Sequence, residues 1–259
     1  MPDTPIDALR ALAHSIEDRA YVPYSGRKES VAALLSDGTW VPGVRVENAS
    51  FPLLIPALLS ATCTMRCAGR ADLVAVVQSQ PFDAAAPAFL TGALDTDWTL
   101  AAPDLLVAGS AEALPAPAQM LTPAARLAIT EPEGLARAAD AATRAHIPES
   151  NFPVGCVVET SDGDLVPGCN VEHPDWTRGL CAERVALATA RSYGLAPPRR
   201  LFLTCPKDPG ATPCGACRQV LVELAAGVPL VIDRGDGPPE TTTPEALLPG
   251  AFIGDGLRA

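Results

Sequence analysis

Two stretches of this chain repeat one another at a fixed offset of 125 residues, and this duplication constrains the fold more than any other feature of the sequence. The segment from Ala20 reads AYVPYSGRKESVAALLSDGTWVPGVRVENASF; the segment from Ala145 reads AHIPESNFPVGCVVETSDGDLVPGCNVEHPDW. Without a gap, Pro23 meets Pro148, Ser36-Asp37-Gly38 meets Ser161-Asp162-Gly163, Val41-Pro42-Gly43 meets Val166-Pro167-Gly168, and Val46-Glu47 meets Val171-Glu172. Turn residues and apolar positions coincide together, so the chain is expected to hold two similar units. An offset of 126 then aligns Pro87 with Pro213 and Pro103 with Pro229.

Within each copy the coarse order is the same. A helix (Ile6 to Arg19; Pro123 to Arg144) leads into two short apolar runs joined by an SDG turn, the pattern of a hairpin. A helix (Ile55 to Ala68; Cys181 to Tyr193), a β-like run, a further helix (Phe89 to Leu94; Cys214 to Ala226) and a last apolar run follow. Such alternation predicts an α/β fold with a sheet flanked by helices in each copy. The boundary is expected in GSAEALPAPAQMLTPAARLA, where alanine and proline replace any periodic pattern, giving units over 1–115 and 116–259.

A formal net charge of −11 at pH 7 disfavours a protein that grips a phosphate backbone, so a small ligand is expected rather than a nucleic acid. No apolar run approaches the roughly 20 residues of a membrane span, and the first residues lack the apolar core of a signal peptide. The expected location is the cytoplasm. In that compartment eight cysteines suggest metal ligands, catalytic groups or small core residues before disulfides.

Spacing separates these cysteines. Cys214 and Cys217 open the helix after Pro213, so their side chains share one face beside the positive end of the helix dipole, which favours thiolates. Cys181 opens the preceding helix, and Glu183 stands two residues on. Three cysteines and one carboxylate suit a zinc ion that keeps a position open for water better than a structural zinc with four protein ligands. A Cys-x-Glu element followed by Pro-Cys-x-x-Cys is the arrangement of the zinc deaminases.

With SNFPVG (150–155), GCNVE (168–172), CAER (181–184) and PCGACRQV (213–220), the chain resembles the cytidine deaminase family, specifically the free-nucleoside enzymes. That resemblance implies tandem cytidine-deaminase-like domains, each a mixed sheet in an α/β/α arrangement. One Zn2+ per chain is implied, in the second domain, on Cys181, Cys214 and Cys217, with Glu183 as the catalytic proton carrier. Asn170 and Glu172 are implied to hold the ribose, Phe152 to stack on the base, and the Ala182 backbone to meet the pyrimidine carbonyl. Arg184 is implied to offset the charge of three thiolates on zinc. The implied reaction is hydrolysis of cytidine or 2'-deoxycytidine: water attacks C4, Glu183 delivers protons to N3 and to the leaving amine, and ammonia and uridine or deoxyuridine result.

The first copy has lost this chemistry. Pro56 replaces Cys181, Leu58 replaces Glu183, Leu59 replaces Arg184, and Ala88 and Thr91 replace Cys214 and Cys217. Arg27 stands at the position of Phe152 and Arg45 at that of Asn170, while Glu47 keeps the type of Glu172 and reads as a leftover turn residue. Long members of the family likewise pair an active with an inactive copy and dimerise, so a homodimer is implied; in the long form the active copy comes first, and here it comes second. Cys63 and Cys67 read as buried or incidental thiols, Cys156 and Cys169 as core residues of the hairpin, and Cys205, which follows a strand, as a thiol outside the metal site. His146 and Glu149 replace the tyrosines of the AYVPYS pattern, and EHPDW departs from the usual pattern after NVE, with Trp176 suited equally to an interface and to substrate. These changes leave a modified nucleoside or a nucleoside antibiotic open as substrate. A polynucleotide deaminase and a zinc scaffold without turnover are the rival readings.

Overall fold

A computed structural model describes residues 4–109, 114–122 and 125–257. In chain order the first copy contains α1 (Pro5–Ser15), β1 (Ser30–Leu35), β2 (Thr39–Val44), α2 (Ala57–Cys67), β3 (Leu73–Gln78), α3 (Ala86–Leu94), β4 (Thr99–Ala102) and β5 (Leu105–Val107), and β6 (Gln119–Met120), past the expected boundary, joins its sheet. The second contains β7 (Ala125–Arg126), α4 (Glu131–Ala142), β8 (Gly155–Thr160), β9 (Asp164–Cys169), α5 (Ala182–Ser192), β10 (Pro198–Thr204), α6 (Gly215–Leu224), β11 (Leu230–Ile232), β12 (Glu240–Thr242) and α7 (Pro244–Leu247). Two six-stranded mixed sheets result, ordered β4-β5-β3-β1-β2-β6 and β12-β11-β10-β8-β9-β7. The α/β expectation and the pairing of two similar sheets are met.

Both SDG turns close their hairpins as expected, β1 on β2 and β8 on β9, with Gly38 and Gly163 at φ of 84° and 85°. One expectation needs correction, and one difference between the copies is new. The helix expected over 123–144 begins only at Glu131, because Thr130 and Glu133 form a reciprocal capping box there; Ala125–Arg126 is instead a strand on β9, and Pro123 lies outside the described residues. The second difference is in direction: β11 runs parallel to β10, whereas its counterpart β5 runs antiparallel to β3 and forms a hairpin with β4. The repeat is thus faithful through the hairpin and the helix after it and diverges at the far edge of the sheet.

Helix α2 is buried on nearly every face, from Ala57 to Cys67, since it packs on its own sheet and on α5 of the other copy. Small hydroxyl pairs sit at that crossing: Ser60 Oγ lies 3.1 Å from Ser192 Oγ, and Thr64 Oγ1 lies 2.7 Å from Thr189 Oγ1. One apolar core runs through the contact, joining Leu34, Val41 and Met65 to Val171, Val185 and Ala188. Desolvated hydroxyls keep their hydrogen bonds by pairing with each other.

Close approach of strand and helix is made possible by Gly168. A Cβ built there would lie 2.2 Å from Ala182 O and 2.6 Å from Ala186 N. Strand β9, which leads to Asn170 and Glu172, therefore lies directly against the first turn of α5, which follows Cys181.

Candidate functional site

Cys181 is the N-cap of α5, Cys214 is the N-cap of α6, and Cys217 sits within the first turn of α6. The sulfurs of these three residues all lie within 4.8 Å of one another, and Cys181 Sγ and Cys214 Sγ are 3.7 Å apart. Four bonds of ~2.3 Å at tetrahedral angles would place sulfurs about 3.8 Å apart, so the separation fits zinc. Cys214 is held well below the ordinary thiol range, chiefly by hydrogen bonding from Cys181 and then Cys217, with the N–H groups of Cys217 and Ala216 adding to this. Cys181, on the donating side of that bond, is pushed up to about 12. Cysteine binds a cation as the thiolate, so metal binding at this set would release protons.

Glu183 lies in the first turn of α5 and is only 3% exposed. The Cys217 thiol donates to its Oε2 at 3.3 Å. Burial raises the pKa of this carboxyl above the ordinary glutamate range, bringing it nearer to what a proton carrier at neutral pH requires. Arg184 extends its Nη2 to Leu53 O of the first copy at 3.2 Å, while its Nε is buried with no hydrogen-bond partner.

Asn170 and Glu172, expected at a sugar, are both engaged with the neighbouring loop. Asn170 Oδ1 accepts from Val154 N at 2.8 Å and its Nδ2 donates to Phe152 O at 2.9 Å, so the side chain braces the loop that presents the half-buried Phe152. Glu172 Oε2 accepts from the backbone of Glu149 at 2.9 Å and of Ser150 at 3.2 Å. Glu47, expected to be a vestige, is 5% exposed and makes the same clamp, accepting from Tyr24 N at 3.2 Å and Ser25 N at 3.1 Å. It is a working structural carboxylate.

Among the remaining thiols, Cys63, Cys67, Cys156, Cys169 and Cys205 are all buried and none joins the three-cysteine group. Trp176 is 72% exposed on the chain surface. His146 is not simply a rim group, since burial and the charge of Arg66 on α2 lower its pKa. Glu223 on α6 went unnoticed in the sequence. It accepts from the hydroxyls of Tyr24 at 2.7 Å and Tyr21 at 3.1 Å and from Ala49 N at 2.7 Å. The available signal was the tyrosine pair kept in the copy that lost its cysteines.

The family model described as the cytidine and deoxycytidylate deaminase zinc-binding region matches residues 130–232. A cytidine deaminase of Sporosarcina psychrophila is 37% identical over 124 residues, 48% of this chain and 91% of that protein. One of Mycobacterium tuberculosis is 40% identical over 122 residues, 46% of this chain and 87% of that protein. Similarity also extends to the crystal structure of cytidine deaminase from Burkholderia pseudomallei, at 36% identity and a TM-score of 0.45, covering 48% of this chain and all of that one. Three convergent thiols, a buried carboxyl and these relatives define an enzyme, a hydrolytic deaminase. The chain belongs to the cytidine deaminase family.

Proposed function

We propose that this enzyme hydrolyses cytidine and 2'-deoxycytidine to uridine and 2'-deoxyuridine with release of ammonia, as a zinc-dependent step of pyrimidine salvage. The observation that carries the reading is the juxtaposition of Glu183 with Cys181, Cys214 and Cys217 at the mouths of two helices. Zinc, when bound by the three cysteines, supplies a Lewis acid that lowers the pKa of water. Glu183 takes a proton from that water, returns it at N3 of the ring, and carries the next to the leaving amine. Its burial supports this role by keeping the carboxyl competent to hold a proton between steps.

Binding is assigned as follows. Phe152 stacks on the base, the Ala182 backbone meets the pyrimidine carbonyl, and Asn170 and Glu172 hold ribose hydroxyls. A carboxylate offers about four acceptor positions, more than the loop clamp at Glu172 uses. Arg184 offsets the negative charge of the three thiolates.

The same proposal divides the chain into a degenerate copy over 1–115 and a catalytic copy over 116–259, with β6 reaching back to the first sheet. A homodimer is supported by large apolar side chains left exposed on the single chain, Phe51 at 85%, Trp176 at 72% and Ile253 at 62%. No helix among the described residues is long and apolar enough to cross a membrane, which is compatible with the proposed cytoplasmic site of action. Mixing the purified chain with cytidine and following the ultraviolet band together with ammonia tests the reaction: loss of the band with equimolar ammonia is expected. No change at about one zinc per chain would overturn cytidine as the substrate and leave a zinc scaffold or another nucleoside.

A further inference from the structure

The first copy holds a cavity of its own. A space of about 400 Å3 opens where the first copy lost its cysteines, lined by Pro56, Leu58 and Leu59, the counterparts of Cys181, Glu183 and Arg184, and by Phe82 and Phe89. This volume is within the range of small-ligand pockets. The cavity shares Glu29 and Arg45 with an adjoining space that is lined also by Arg27 and Lys28. One end is largely apolar; the other carries Arg27 and Arg45, with Lys28 paired to Asp18 and with Glu17 and Glu29 in the same lining.

The substitutions have a common direction. Arg27 and Arg45 stand at the two positions where the catalytic copy has Phe152 and Asn170, so groups suited to a neutral nucleoside have become cations. Arg45 is anchored through its Nε to Glu47 Oε1 at 3.1 Å, which leaves guanidinium donors for a ligand. Arg178 enters the same cavity from the catalytic copy, 5.7 Å from the centre of the Phe89 ring. Glu29 Oε1 accepts from Ala57 N at 3.0 Å, the amide equivalent to that of Ala182, so the group proposed to receive a pyrimidine carbonyl in the other copy is already occupied by a carboxylate.

We propose that the cavity of the first copy is a second ligand site, one that binds a pyrimidine nucleotide without acting on it. The base lies against Leu58, Leu59 and Phe82, an N–H of the base donates to Glu29, and the phosphate is held by Arg27 and Arg45. No bond is made or broken, because a proton carrier and metal ligands are absent from Pro56, Leu58, Ala88 and Thr91. Arg178 thus brings a residue of the catalytic copy to the edge of this cavity.

The test uses the full chain and uridine 5'-monophosphate, which cannot be deaminated, with uridine as control, in isothermal titration calorimetry. Wild type is expected to bind one equivalent of the nucleotide, and uridine at least tenfold more weakly. Arg27→Ala is expected to weaken the nucleotide about tenfold. Leu58→Trp, which fills the cavity, is expected to abolish binding while cytidine turnover persists; a thermal melt shows whether each variant is folded. Absence of nucleotide binding, binding that is unchanged in both folded variants, or uridine binding as tightly as its phosphate would each overturn the proposal. Cytidine turnover is measured separately, so failure here is distinguishable from failure of the deaminase reading.

Discussion

The hydroxyl of Tyr24 in the first copy donates to Glu223 Oε1 in the second at 2.7 Å, on the helix that carries Cys217. Tyr21 and Ala49 converge on the same carboxylate. The tyrosine pair of the first copy thus braces α6 of the second, where His146 and Glu149 stand at the equivalent positions of the sequence. Glu223→Ala removes three hydrogen bonds at a part-buried contact, each with a net worth of about 0.5–1.5 kcal/mol. The melting temperature is expected to fall by several degrees and turnover to fall with it, and Tyr24→Phe is expected to give a smaller loss of the same kind. Melting curves equal to wild type for both variants would contradict this.

Glu172 and Glu47 make the same backbone clamp in the two copies, but only Glu172 is proposed to meet substrate. Glu172→Gln is expected to raise KM for cytidine by tenfold or more, together with some loss of stability. Glu47→Gln is expected to lower stability while KM changes little. Steady-state kinetics and thermal melts on both variants separate the two roles, and equal KM effects would show that the clamp alone accounts for Glu172.

Strand β9 and helix α5 touch because residue 168 is glycine. The methyl of Gly168→Ala would meet backbone atoms that cannot rotate away, and overpacking of this kind costs about 1–3 kcal/mol or more. The variant is expected to melt lower and to hold less zinc. Gly43→Ala makes the equivalent clash in the first copy, 2.3 Å from Ala57 O, and is expected to destabilise while leaving zinc content intact. Metal analysis of the two folded variants checks the contrast.

Asp104 is tied to Arg10 at 2.7 Å, and that hydrogen bond, outweighing burial, holds its carboxyl below the ordinary range. A depressed folded-state pKa means that the contribution is complete above the unfolded value of about 4 and is lost as pH falls through the lower folded value. Melting temperatures measured from pH 6 to pH 3 are expected to drop less steeply for Asp104→Asn than for wild type, from a lower starting point. Parallel acid limbs would exclude the pair as a contributor.

Much of this was legible in the sequence for physical reasons. The SDG turns need positive φ at glycine and could be read locally, whereas Cys181, 33 residues from Cys214, was joined to it through the paired motif of the zinc deaminases. The reversed direction of β5 and the late start of α4 depend on sheet-edge pairing and on a Thr130–Glu133 cap, which apolar periodicity does not encode. Glu47 was misread because its partners are backbone N–H groups, invisible in a comparison of side chains. Glu223 and the cavity at Leu58 belong to contacts and spaces between distant segments, and only the folded chain brings them together.

The most direct test of the account compares wild type with Glu183→Gln, assaying zinc and the fall of the cytidine absorbance in the same preparations. About one zinc per chain in both proteins, with turnover in the variant reduced at least 100-fold, is the expected result for a proton carrier beside an intact metal site. A Glu183→Gln protein that holds zinc and deaminates cytidine as fast as wild type would contradict the central claim.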